Sequence, residues 1–168
     1  APGFAGLRWS SGRMRVPALP RVSTRRSDAD DVPALAVDNA GGLVHAGSIY
    51  LEAGTPAVDP RVTLLALADA LRAFPERVAA VHLRLVTPET DRFTALATAY
   101  QNCGAYVEVP DGVVLAAPLQ LVWMATPGAP AAVFPHTAIR LGAGARAVVV
   151  ERHRGAGETF LACVVEAD

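Results

Sequence analysis

The spacing of apolar and polar residues divides the chain into an irregular arm, a helical stretch and a long β-rich stretch. Residues 1–33 are rich in Arg and Pro with little periodicity, which predicts an irregular arm. A basic contact for phosphates is the alternative, although acidic residues at 28–31 follow at once and offset the charge. Two short apolar runs then flank the Asn- and Gly-containing break at 38–42, which predicts a hairpin. Residues 1–58 are therefore assigned to an arm and hairpin, and His45 is interpreted as a surface or packed imidazole.

Residues 59–104 are predicted to be helical. Asp59 and Pro60 are suited to the start of a helix, since the carboxylate accepts from free N–H groups and proline is preorganised for the first turn. Pro75 ends or kinks that helix. Residues 76–86 fit both a strand and a helix, and a second helix is predicted after Asp91, with Gly104 as its stop. The apolar stripe of the first helix follows a spacing of three and four: Leu64, Leu67, Ala68, Leu71 and Phe74.

After Gly104 the apolar period changes from 3.6 to 2 and stays there. Seven short β-segments follow within residues 105–168, separated by Gly and Pro. No intervening segment is long enough for a crossover helix, which excludes a βαβ fold. A sandwich, a barrel and a β-solenoid remain.

Composition narrows the function classes. Hydrophobic residues make up 52% and charged residues 18%, so disorder is disfavoured. The formal net charge of −1 gives no field that would attract nucleic acid or an anionic membrane. The longest apolar stretch, at 113–125, is interrupted and too short to span a bilayer, and no signal peptide is visible. We therefore expect a soluble cytoplasmic protein with neither nucleic-acid nor membrane partners.

The candidate chemistry of the β-rich stretch is sparse. The Gly-containing segment at 142–146 lies between two strands and is interpreted as a turn rather than a phosphate loop. Glu151 and His153 could share a strand face and meet Cys163, which would make a Cys/His/Glu metal or cluster contact imaginable. We favour the alternative, in which Cys163 is a small core residue, His153 begins a polar turn and Cys103 packs. The remaining carboxylates are expected at solvated strand ends and turns: Glu108, Asp111, Glu158, Glu166 and Asp168.

Several phrases follow one another along the chain: Phe93-Thr94-Ala95-Leu96-Ala97-Thr98-Ala99, Gly104-Ala105-Tyr106-Val107-Glu108-Val109-Pro110-Asp111-Gly112-Val113-Val114, Pro118-Leu119-Gln120-Leu121, Pro135-His136-Thr137 and Gly144-Ala145-Arg146-Ala147-Val148-Val149-Val150-Glu151. Their order resembles the SufB/SufD family of iron–sulfur cluster assembly scaffolds, and SufD more than SufB. The resemblance is most specific over residues 59–168 and loose over 7–58. Two departures, Ala97 and Asp111, stand where that family usually has Asn and Lys.

The resemblance implies a mainly β fold: the first coils of a right-handed parallel β-helix over 105–168, preceded by a small helical and hairpin region. It also favours helix for residues 76–86. It implies a scaffold subunit without its own active site, working with a SufB-type paralogue and a SufC-type ATPase to build an iron–sulfur cluster. We expect no catalytic, cofactor-binding or metal-binding residue in this segment.

Two further expectations concern alternatives and the C-terminal face. A β-solenoid carbohydrate-active enzyme, or a binding module that kept only the fold, remains an alternative to the scaffold. Because the chain ends in or just after a strand, we expect it to be part of something longer. We also expect it to self-associate through its open C-terminal face.

Overall fold

The computed structural model describes residues 39–46, 49–51, 59–125, 131–155 and 159–168, and of 49–51 and 131 only the backbone. Within these residues the chain forms ten strands and three short helices. The strands are β1 (Gly41–Ala46), β2 (Ile49–Leu51), β3 (Thr63–Ala66), β4 (Cys103–Val109), β5 (Leu119–Met124), β6 (Ala131–Val133), β7 (Pro135–Leu141), β8 (Val149–Arg154), β9 (Thr159–Leu161) and β10 (Val164–Ala167). The helices are α1 (Leu67–Ala73), α2 (Pro75–Ala79) and α3 (Arg92–Ala99).

The prediction of a mainly β protein is confirmed, and its sheets are largely parallel. Two four-stranded sheets have the orders β2-β1-β5-β8 and β10-β7-β4-β3, and β6 pairs with β9. All the pairings among β4 to β10 are parallel, and each joins a strand to the one three places later. The partner of each residue lies about 30 positions further along the chain, as Leu119 opposite Val149 illustrates.

Two similar turns stack on each other after β4 and β7. Gly112 N–H donates to the carbonyl of Ala143 at 2.9 Å, and Gly142 N–H donates to that of Val109 at 2.8 Å. Gly112 and Gly144 both have φ of 69°, a conformation that costs a residue with a Cβ about 1–2 kcal/mol. The interpretation of 142–146 as a turn is confirmed.

The structure contains a hairpin, but not the predicted one. β1 and β2 form it as an antiparallel pair, whereas residues 35–37, the predicted first run, lie outside the described residues, as does the arm at 1–33. Gly41 and Gly42, assigned to the turn, instead belong to β1, because β1 pairs in parallel with β5 along its whole length. The prediction missed this long-range partner.

The helix predicted to start at Asp59 begins only at Leu67, eight residues later. The assignment of 59–104 as a helical region is therefore wrong at its start. Thr63 to Ala66 form β3, antiparallel to β4, because the edge of β4 offers hydrogen bonds that outweigh local helix preference. Asp59 caps only a turn: its carboxylate accepts from the backbone N–H and the guanidinium of Arg61. Pro75 ends α1 as predicted and opens α2.

The remaining helical predictions are partly right. Residues 76–86 are helical only to the end of α2 and continue as turns. Asp91 caps α3 as predicted, accepting from the N–H groups of Phe93 and Thr94. The helix ends at Ala99 before it reaches Gly104, which lies in β4. Gly104 is needed for close approach, since a Cβ there would overlap the carbonyl of His136 and press on Leu67.

Side chains alternate across β4 and define two apolar layers. Ala105, Val107 and Val109 face the strands of the other sheet and pack near Leu119 and Leu121. Tyr106 faces the other way and packs with α1 and α2, together with Leu67, Ala70, Val78, Val81 and Ala138. No helix in the described part of the chain is long and apolar enough to cross a membrane.

Candidate functional site

The most elaborate polar arrangement in the described residues surrounds the carboxylate of Glu166 on β10. Its side chain is fully buried, and its Oε2 accepts from the N–H groups of Arg84, Leu85 and Val86 at 2.8, 2.7 and 3.0 Å. Its Oε1 accepts from the N–H of Leu83 at 2.6 Å. Four consecutive backbone donors therefore converge on one carboxylate.

The loop at 83–86 has the geometry of an anion-binding nest. Leu83 has a φ of 59°, in the left-handed region that a bulky residue rarely adopts. Such a conformation turns successive N–H groups to the same side, where they form a concavity for an anion. The contacts with Glu166 offset the backbone strain at Leu83 and bind this loop to the sheet.

His136 completes the surroundings of this carboxylate. It lies on β7 beside β10, and its Nε2 is 2.6 Å from Glu166 Oε1. Its ring is 4.3 Å from that of His82, whose Nε2 is 3.1 Å from Oε1 of Gln101. The cluster therefore joins β7, β10, the loop after α2 and the segment between α3 and β4.

The protonation states follow from burial and hydrogen bonding. Burial raises the pKa of Glu166, but the N–H groups of Val86, Leu85 and Leu83, with His136, outweigh it and hold the pKa below its ordinary value. Burial, with the nearby His82, lowers the pKa of His136 against the opposing effect of Glu166. The pair is thus an ionised carboxylate and a neutral imidazole, and His136 donates through Nε2–H.

A second charged cluster lies near the other end of β4 and β7. Glu108 accepts from Arg77 on α2, from Arg140 at 3.2 Å and from the Tyr106 hydroxyl at 2.9 Å. Burial raises the pKa of Tyr106 to about 12, and the hydrogen bond to Glu108 adds to this effect. The cluster fastens α2 to the sheet.

The residues of the hypothetical Cys/His/Glu contact lie around Glu151. His153 Nε2 is 3.6 Å from Glu151 Oε2, so the two share a strand face as the spacing indicates. Glu151 also accepts from the Thr137 hydroxyl. Burial raises the pKa of both cysteine thiols, that of Cys103 to about 12, and the nearby charge of Glu151 raises each pKa further.

These thiols are poorly suited to metal binding or attack, because the reactive form is the thiolate. Cys103 packs beside Trp123 and Ala125, as predicted, whereas Cys163 is exposed, so its assignment to the core is wrong. Within the described residues, no group of three or more His, Cys, Asp and Glu side chains is arranged to hold a metal ion.

The expectation of solvated carboxylates at strand ends and turns is wrong for Glu166 and Glu108, which are held by the partners described above. It is confirmed for Asp111 and Asp168, which are exposed, and Asp111 also accepts from the N–H of Ala143 at 2.8 Å. These groups point to different neighbours, and this arrangement gives no support to paired carboxylates for sugar cleavage. Glu158 lies outside the described residues.

His45 is a packed imidazole, which is one of the two predicted outcomes. It is only 4% exposed, and its ring centroid is 4.8 Å from that of Trp123. Burial lowers the pKa of His45 to about 4, despite a backbone hydrogen bond with Gly104 that favours the charged form. His45 is therefore neutral at physiological pH.

Sequence reasoning missed the Glu166 cluster. Glu166 stands between apolar neighbours with no charged partner nearby in sequence, and its donors are some 80 positions earlier. The only local signal is the alternation of β10, which places Glu166 on the same face as buried Val164. Comparison of the chain with models of known protein families and with the curated proteins finds no match.

Proposed function

We propose that this chain is a scaffold subunit of the SufB/SufD kind and that its strands form the first coils of a right-handed parallel β-helix. The observation that carries the proposal is the regular pairing of each strand from β4 onward with the strand three places later. A chain that winds through three faces in turn produces this pairing, since each coil places one strand on every face.

The spacing of the pairs also supports the winding. Cys103 is opposite Pro135, and Leu119 is opposite Val149, so that one coil takes about 30 residues on two different faces. The stacked turns at 110–112 and 142–144 are the same corner of consecutive coils. β3 covers the first coil by pairing antiparallel with β4, as a capping element of a solenoid does.

The resemblance to the SufB/SufD family supports the proposed role as a scaffold subunit. Several of its quoted phrases fall on these coils: 104–114 covers β4 and its corner, 118–121 starts β5, and 135–137 starts β7. On this proposal the chain works in the cytoplasm as a non-enzymatic partner of a SufB-type paralogue and a SufC-type ATPase. The iron–sulfur cluster is the product of the assembly rather than a resident cofactor of this segment.

Co-purification tests the proposal. The full-length protein that contains this sequence is tagged and co-expressed with the SufB-type and SufC-type proteins of the same genome. We expect a stoichiometric complex by size-exclusion chromatography with light scattering, and a loss of iron–sulfur enzyme activity when the gene is deleted. Recovery of the folded protein alone, with unchanged activity in the deletion strain, would refute the proposal.

A pair of glycine variants provides the matched control. Gly104→Ala introduces a Cβ that would overlap the carbonyl of His136 between coils, whereas Gly112→Ala meets open space at an exposed turn. We expect Gly104→Ala to weaken complex formation and Gly112→Ala to preserve it. If the two variants bind the partner proteins equally well and are equally stable, the stacked coils have no role in complex formation.

A further inference from the structure

The outer face of the sheet β2-β1-β5-β8 lies away from the described helices. Side chains alternate along its strands, and Leu43 and Leu121 point inward, in one cluster with Ala105 of the other sheet. Val44 and Val122 therefore point outward, side by side on the paired strands β1 and β5. The helices pack on the other sheet: α1 contacts β3, β4 and β7, and α3 contacts β7.

The side chains on this outer face are nevertheless buried. Val44 is 0% and Val122 is 3% exposed, and Gln120, which points to the same side, is 2% exposed. Val114 and Val148 show what an uncovered valine looks like in this protein, since they are 63% and 61% exposed. Val44 and Val122 also stand outside the apolar clusters that the described residues form. A further part of the chain must therefore lie on the outer face.

The position of this cover follows from the burial across the sheet. Val150 and Arg152, at the outward positions of β8, are only half-buried, and Arg154 is exposed. The covering segment is therefore centred on β1 and β5 rather than on β8. Each of these two strands has six residues, so an extended segment of six residues, about 20 Å long, would match them.

The lengths of the remaining segments identify the cover. Residues 47–48, 126–130 and 156–158 are short connections between successive strands, and residues 52–58 lead from β2 toward β3 in the other sheet. Residues 1–38, which include the predicted arm, are joined to the described residues only at Asn39, just before β1. Their extended reach far exceeds the width of the sheet. The arm therefore has the length and the attachment point needed to lie over β1 and β5.

One stretch of the arm has the pattern that such a face requires. The arm as a whole shows little periodicity, but apolar residues at even positions alternate with arginines and a proline in Arg13-Met14-Arg15-Val16-Pro17-Ala18. In an extended segment this alternation puts the apolar side chains on one side and the arginines on the other. Pro17 has no N–H to donate, which suits a segment that lies on a sheet rather than within it.

We propose that the N-terminal arm docks on the outer face of this sheet, with residues 13–18 extended along β1 and β5. Met14 and Val16 pack on Val44 and Val122, while Arg15 points to solvent. The arm thus gives this sheet the cover that α1 and α2 give to the other one. The contact does not depend on the proposed scaffold role.

Nitroxide labelling of the whole 168-residue chain tests this contact. The label is attached at Arg13→Cys, which leaves Met14 and Val16 intact. Cys163→Ser removes the exposed native thiol. Burial raises the pKa of Cys103 to about 12, so that its thiol reacts poorly with the label.

The nitroxide broadens the NMR signals of methyl groups near it. We expect the label at position 13 to reduce the methyl intensities of Val44 and Val122 at least twofold relative to those of Val78, which packs between α2 and the other sheet. The matched control carries the same label at the exposed position Glu76→Cys on α2. We expect this control to broaden Val78 and to leave Val44 and Val122 unchanged.

Two arm variants and a mixing experiment complete the test. With the label at position 13, we expect Val16→Ser to reduce the broadening of Val44 and Val122 at least twofold and Arg15→Ser to preserve it. In the mixed sample, the labelled chain and the isotope-enriched chain are different molecules, so only the arm of a second copy can broaden the signals. Absence of broadening at Val44 and Val122, equal effects of the two substitutions, or broadening in the mixed sample would each overturn the proposal.

Discussion

Replacing Glu166 by Gln tests whether the charge of this carboxylate holds the loop at 83–86 against the sheet. The substitution keeps the size and shape of the side chain but puts an NH₂ group where one carboxylate oxygen accepts hydrogen bonds. If the amide oxygen keeps the donors from 84–86, the NH₂ group faces Leu83 N–H and His136 Nε2, which lie 2.6 Å from Oε1. At least one backbone donor then loses its acceptor.

The contacts set the magnitude of the loss. An orphaned buried N–H costs about 1–3 kcal/mol, and a hydrogen bond to a charged group contributes about 1 kcal/mol more than one to a neutral group. Because the three bonds donated by Arg84, Leu85 and Val86 also lose their charged acceptor, we expect Glu166→Gln to lower the free energy of unfolding by about 5 kcal/mol. At about 2–4 °C per kcal/mol, the melting temperature falls by roughly 15 °C.

Urea denaturation followed by circular dichroism measures this loss, with Glu76→Gln on the exposed face of α2 as the control. Surface substitutions of that kind change stability by within about 0.5 kcal/mol. Hydrogen exchange gives a local measurement, since the amides of Leu83 to Val86 should lose protection in Glu166→Gln alone.

The pH dependence distinguishes charge from shape. The pKa of Glu166 in the folded protein lies below its ordinary value of 4.5, so its carboxylate stabilises the fold fully above about pH 4.5. That stabilisation is lost as the pH falls through the folded-state pKa. The gap between wild type and Glu166→Gln should therefore be full at pH 7 and close in strong acid. A loss under 1 kcal/mol at pH 7, with unchanged amide protection, would refute the reasoning.

Three other substitutions test separate features. Burial holds the pKa of His45 at about 4 in the folded protein, against 6.5 ordinarily, so the free energy of unfolding should fall by roughly 3 kcal/mol between pH 6.5 and pH 4. His45→Gln should flatten the pH dependence of stability in this range, and an unchanged slope would contradict this. In urea denaturation, Gly104→Ala should lower the free energy of unfolding by about 3 kcal/mol and Gly112→Ala by about 1 kcal/mol, because only a Cβ at position 104 overlaps a backbone atom. Equal losses would contradict a close approach of β7 to Gly104. Anaerobic reconstitution of the 168-residue chain with iron and sulfide should yield no stoichiometric cluster, since its two cysteines cannot supply four thiolates; a cluster spectrum abolished by Cys163→Ser would overturn this.

Local chemistry was enough to predict the features that depend on neighbouring residues. Asp91 caps α3 because its carboxylate needs only the next turn of the chain, and Pro75 separates α1 from α2 for an equally local reason. The period of two after Gly104 indicated strands because alternation records which side of a strand is buried. The short segments between the predicted strands also excluded crossover helices.

Long-range partners decided the rest. Thr63 to Ala66 carry a helical spacing and become β3, because the edge of β4 is available only in the folded protein. Glu166 looked like a solvated charge and is buried, because its donors come from a loop some 80 residues earlier and its imidazole partner from a neighbouring strand. Sequence spacing carries no record of such pairs, since they form between segments that meet only when the sheets assemble.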